Sequence, residues 1–65
     1  MPWNPKALRK ARDRKGWTQR HLADRVGAHP ISVARWELGT REPGINDVEK
    51  LAKVLQVKIA DLLKK

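Results

Sequence analysis

Apolar residues recur along this chain three and four positions apart, the period of an amphipathic helix, and no segment alternates as a strand requires. Ala7, Leu8 and Ala11 form a thin first stripe; Leu22, Ala23 and Val26 form a second. Ile45, Val48, Leu51, Ala52 and Leu55 form the most regular one, and Ile59, Ala60, Leu62 and Leu63 crowd a short last segment. Punctuation falls between the stripes. Asn4 followed by Pro5 reads as cap and first position of a helix running to about Lys15, which Gly16 ends. Thr18 caps the second helix, with His21 where a capping-box acid would stand, and Gly27 closes it. His29 and Pro30 open the third helix and Gly39 ends it. Thr40 to Gly44 is a loop with a Pro-Gly turn. Gly44 or Asn46 caps the fourth helix, Gly44 being preferred, and Gln56 breaks the chain before Val57. The pattern predicts an all-α fold of five short helices over residues 5–63. Residues 1–4 read as an N-terminal tail, in which Trp3 either packs under the first helix or stays loose, and 64–65 as a basic C-terminal end.

The chain is organised around Ala28 to Gly39. At 100° per residue, Val33, Trp36 and Glu37 share one side of that helix, and Ile31, Ala34, Arg35 and Leu38 share the other. The first side docks and contains one carboxylate. The second carries two aliphatic residues, a small residue and an arginine, a combination suited to entering the major groove of DNA. The second and third helices are joined by a few residues including Gly27, which defines a helix-turn-helix.

Charge strengthens that reading. The 65 residues carry 15 Lys and Arg against 7 acids, a net +8. Residues 1–41 hold ten of the bases and three of the acids, so the excess lies with the first three helices. With no cysteine there is no disulfide or thiolate-zinc staple, and a chain this short relies on helix packing or on association. No membrane span and no signal-peptide core is present, so a cytoplasmic location is expected. Asp13, Asp24, Asp47 and Asp61 show no paired spacing, and His21 and His29 stand across a turn with no Cys to join them. No catalytic residue, metal site or cofactor is therefore expected.

Trp17-Thr18-Gln19, Leu22-Ala23, Val26-Gly27, Pro30, Val33, Arg35-Trp36-Glu37, Gly39, Arg41-Glu42-Pro43, Leu51-Ala52, Leu55 and Val57 follow one another at characteristic spacings. In this ordered set the chain resembles the lambda-repressor-like helix-turn-helix family, the phage repressor, Cro and XRE-type domains. The resemblance spans about residues 5–63 and implies a compact five-helix domain whose third helix reads the major groove while the second crosses the backbone. It also implies dimers on two-fold operators in a bacterial or phage setting, associated with the nucleoid. Four positions depart from the family pattern. His29 replaces a Ser or Thr cap, Leu38 a polar or basic residue, Gln56 a glycine and Lys58 a capping Ser or Asp.

Individual roles follow. Arg35 is the base reader, since a guanidinium pairs with guanine O6 and N7. Ile31 can touch only a thymine methyl, and Ser32 borders the same face. Thr18, Gln19, Arg20, His29 and Arg41 are candidate contacts to the DNA backbone. Glu37 on the docking side requires a partner, and Arg12 on the inner stripe of the first helix is the candidate; related repressors pair an arginine and a glutamate at these places. Trp17 and Trp36 are assigned to the core. Ile59 is expected to be exposed as a dimer contact, too small to hold a homodimer firmly without DNA. The expected function is a sequence-specific double-stranded-DNA-binding transcriptional regulator, of repressor type. The alternatives are an antitoxin-type autoregulator with a protein partner and a protein-interaction module on the same fold.

Overall fold

Four α-helices closed by one 3₁₀ turn account for most of residues 2–64, the part of the chain that the computed structural model describes. α1 spans Pro5–Lys15, α2 Gln19–Val26, α3 Pro30–Leu38 and α4 Ile45–Leu55; the 3₁₀ turn is Ile59–Leu62. The helix starts are chemical. Asn4 Oδ1 accepts the Ala7 N–H at 3.2 Å, Thr18 Oγ1 that of His21 at 3.0 Å, and His29 Nδ1 that of Ile31 at 3.1 Å. Gly44 stands at the cap of α4 without a side chain to offer, and Asp47 in the first turn faces the positive end of the helix. Gly39 ends α3 at φ 80°, and a Cβ there would lie 3.2 Å from Pro5 Cγ. Glycine is thus needed twice over at this point, for the left-handed turn and for the approach of α1.

The buried stripes meet in one core. Leu8 of α1, Leu22 of α2, Val33 of α3, Leu51 of α4 and Leu62 of the 3₁₀ turn are its largest fully buried residues. Trp36, Ala23, Val26, Val48, Ala52 and Leu55 fill the space between them. α2 and α3 pack on one another as the helix-turn-helix, with α1 and α4 behind them.

The structure departs from expectation at several points. The fifth helix is a single 3₁₀ turn of four residues. Its only side-chain support at the start is the Asp61 carboxylate, which accepts the Lys58 N–H at 3.1 Å, and the chain turns extended at Leu63. Of the two alternatives for Trp3, packing holds: Trp3 is buried and pairs with Leu63 in an antiparallel bridge, and Lys64 N–H donates to Pro2 O at 3.1 Å. Met1 and Lys65, the outer members of the expected tail and basic end, lie outside the described residues. Ile45, assigned to the buried stripe of α4, is 51% exposed because it sits in the first turn, beyond the reach of the core. Trp17 is half-buried at the rim of the core, with Arg25 and Lys15 over its ring at 5.0 and 5.8 Å.

Gln56 adopts φ 58°, the one non-glycine residue among those described in the left-handed region. That conformation costs a non-glycine residue about 1–2 kcal/mol. Burying a leucine such as Leu62 stabilises by about 1.5–3 kcal/mol, which offsets it. The Gln56 side chain also accepts a hydrogen bond from Lys15 Nζ, tying the turn to the end of α1.

Candidate nucleic-acid interface

α3 has two dissimilar sides, and the core fixes which one faces solvent. Val33 and Trp36 are buried, so Ile31, Arg35 and Leu38 turn outward. Ile31 is 54% and Leu38 76% exposed, while Ser32 and Ala34 are half-buried at the margins. Both aliphatic side chains thus lie on the side that α3 turns away from the core. Between them the exposed Arg35 guanidinium, with five donors in a planar fork, projects from the same face.

Glu37 belongs to the inner side of α3, and it is the centre of a network joining three helices. Its side chain is 4% exposed and that of Arg12 is 13% exposed. Arg12 Nε donates to Glu37 Oε2 at 2.7 Å and Arg12 Nη2 to Oε1 at 3.0 Å, a bidentate pair between α1 and α3. Arg12 Nη1 donates to the Trp17 carbonyl at 2.7 Å, in the segment entering α2. Gln19 Nε2, from the first turn of α2, donates to Glu37 Oε1 at 3.1 Å. The hydrogen bond to Glu37 raises the Arg12 pKa above its already high ordinary value, against the opposing effect of burial. Stability from this shift is present at every pH below the unfolded pKa and is lost only as pH rises through the higher folded value. The inner side of α3 is therefore tied to α1 and α2 by charge-assisted bonds.

The expected backbone-contact residues fall into two groups. Arg20, His29 and Arg41 are exposed, at the start of α2, the start of α3 and the loop after it. With Nδ1 of His29 accepting the Ile31 N–H, the ring proton resides on Nε2, which leaves an outward donor at the N-terminus of α3. Thr18 and Gln19 are different. The Thr18 hydroxyl is engaged in capping α2, and one Gln19 amide N–H is committed to Glu37. Gln19 is half-buried and acts first within the protein; its second amide N–H and its main-chain N–H remain for an outside acceptor. Ile59, the first residue of the closing 3₁₀ turn, is 38% exposed, and Leu63 just after that turn is half-buried.

Two participants escaped sequence reasoning. The Trp17 carbonyl is a main-chain group with no sequence signature. Trp3 lies outside every helical pattern, and only its size and its indole N–H hinted that it would seek a buried acceptor. Among the described residues no His, Cys, Asp or Glu are grouped to hold a metal, and no helix is long and apolar enough to cross a membrane.

Comparison with known proteins fits this geometry. A family model described as helix-turn-helix matches residues 8–62. Over 57 residues the chain is 35% identical to the uncharacterized HTH-type transcriptional regulator YqaE of Bacillus subtilis, which covers 88% of this chain and 49% of that protein. The chain thus spans about half the length of the curated relatives it matches. Among solved structures, the P22 c2 repressor in complex with a synthetic operator aligns at a TM-score of 0.90 with 26% identity, over 98% of this chain and 97% of that one. The biofilm regulator SinR of Bacillus subtilis, in complex with DNA, aligns at 0.86 with 26% identity, over 92% of this chain and 97% of that one.

Proposed function

Because the chain belongs to the lambda-repressor-like helix-turn-helix family, we propose that it is a double-stranded-DNA-binding transcriptional regulator of repressor type, acting in the cytoplasm at the nucleoid. The observation that carries this reading is the outer face of α3, where Arg35 lies between exposed Ile31 and Leu38 while Glu37 clamps the inner face. In the mechanism, α3 enters the major groove. Arg35 donates two hydrogen bonds to guanine O6 and N7, Ile31 packs on a thymine methyl, and Ser32 reaches a base edge or phosphate. Ala34 lets the helix approach closely. Arg20, Arg41 and the His29 Nε2–H hold phosphates on either side, with Thr18 and the free N–H groups of Gln19 at the start of α2. Family and fold are those of DNA-binding regulators, and the reading requires no cofactor and no catalytic residue.

The test is a salt titration on duplexes selected from a random pool. If two domains each neutralise two phosphates, log K falls against log salt with a slope of about −3 to −4. A slope shallower than about −1, or no enrichment of any sequence, would point to a protein partner instead.

Two copies on a two-fold operator place their α3 helices one helical turn apart, ~34 Å. The proposed self-contact is Ile59, exposed on the closing turn and meeting its symmetry mate. A contact so small leaves the protein monomeric at micromolar concentration and lets DNA assemble the pair. Ile59→Glu is expected to abolish cooperative binding to a full operator while half-site affinity and the melting temperature stay near wild type. Equal cooperativity in both proteins would locate the dimer contact elsewhere.

A further inference from the structure

We infer that Trp3 is a positioning residue for DNA reading, because its indole caps the C-terminal end of α3 from outside the helix. The inference rests on the assignment of α3 as the reading helix. The Trp3 Nε1–H donates to the Trp36 carbonyl at 2.8 Å, a buried bond across 33 residues of sequence. The last carbonyls of a helix have no partner within it. At the end of α3 the turn directs the Gly39 N–H, the Thr40 N–H at 3.1 Å and the Thr40 hydroxyl at 3.4 Å to a single acceptor, the Arg35 carbonyl. Trp36 O is the next carbonyl along, and it takes the indole.

Trp3 is itself held from two directions. Asn4, its neighbour, caps α1, and the Asn4 N–H donates to Leu62 O at 3.1 Å. On the other side Trp3 bridges Leu63, and Lys64 N–H meets Pro2 O. The indole therefore transmits the position of α1 and of the closing turn to the end of α3.

The consequence is geometric. α3 has nine residues, a rod of roughly 13 Å, and it is pinned near its C-terminal end at two points. Glu37 is fixed toward α1 and α2, and the Trp36 carbonyl toward Trp3. Arg35 is bonded directly to Trp36. An extended arginine places its guanidinium about 8 Å from the helix axis, so a roll of about 10° moves it roughly 1.4 Å. A preorganised bidentate contact tolerates about 0.5 Å. Loss of the indole bond thus degrades base reading while leaving phosphate contacts, which are spread over α2 and the loops, in place.

The chain is short enough to be made by chemical synthesis, so Trp3 alone can be exchanged for benzothienylalanine, which keeps the shape and replaces the N–H by sulfur. The readout is the ratio of affinities for the best selected duplex and a scrambled duplex, at a temperature where circular dichroism shows both proteins fully folded. Specific affinity is expected to fall about tenfold, with scrambled-duplex affinity and salt slope unchanged. Trp3→7-azatryptophan, which retains the N–H, is expected to keep the wild-type ratio. An unchanged ratio in the benzothienyl protein, or an equal loss on both duplexes, would overturn the positioning role. A wild-type protein that prefers no duplex would overturn the DNA-reading assignment itself. Should the isostere fail to fold, hydrogen exchange at the Trp3 indole of the wild-type protein decides. Slower exchange with the selected than with the scrambled duplex supports the role, and equal exchange refutes it.

Discussion

Glu37→Ala is expected to destabilise the domain by about 3 kcal/mol, the low end of the 3–5 kcal/mol typical of stranding one member of a buried ion pair. The low end applies because Arg12 keeps two other neighbours, the Trp17 carbonyl at 2.7 Å and the largely exposed Asp13 carboxylate at 3.5 Å. A domain of this length has a total stability of only about 3–10 kcal/mol. The loss therefore lowers the melting temperature by about 12–24 °C at the usual conversion for a small domain. A melt within two degrees of wild type would mean that the pair contributes nothing. The double variant Arg12→Leu with Glu37→Leu is expected to be milder than Glu37→Ala, since no charge is left buried. It will not reach wild type, because the Trp17 carbonyl and the Gln19 amide each lose a partner.

Arg35→Ala is expected to leave the melting temperature almost unchanged and to lower specific DNA affinity by about 1–3 kcal/mol, roughly 5- to 150-fold. Stability survives because the side chain is exposed; the contribution of this residue to the end of α3 is its carbonyl, which alanine retains. Discrimination should relax at one base pair per half-site. Competition binding against single-base variants of a selected duplex measures this. An even loss across all variants and the scrambled duplex would reassign Arg35 to a phosphate and remove it from base reading.

Most of the secondary structure was legible because its signals are local. Asn4-Pro5, Thr18, His29-Pro30, Gly16, Gly27 and Gly39 act on main-chain groups within a few positions of themselves, and each marks an observed helix end. The division of α3 was legible for the same reason: 100° per residue separates Val33 and Trp36 from Ile31, Arg35 and Leu38 without knowledge of any neighbour. Glu37 was conspicuous as the one charge on the docking side, and Arg12 as the one charge on a facing stripe.

The rest depended on distance. A hydrophobic period cannot tell an α-turn from a 3₁₀ turn in four residues, and the shorter form won at Ile59–Leu62 where Leu63 had to run extended beside Trp3. Ile45 carried the right period, yet the helix begins before the core does. Gln19 had the composition of a surface contact, and only the approach of α2 to α3 turned its amide inward to Glu37. What the sequence determined by itself was where helices start and stop, which side of each is apolar, and that the charge favours a polyanionic partner. The tertiary structure alone decided which main-chain carbonyls outside the helical ladders meet a side-chain donor: Trp36 O takes the Trp3 indole and Trp17 O takes the Arg12 N–H that Glu37 leaves over. Those acceptors are main-chain atoms, identical in every residue, and folding distinguishes them only by bringing a donor within reach.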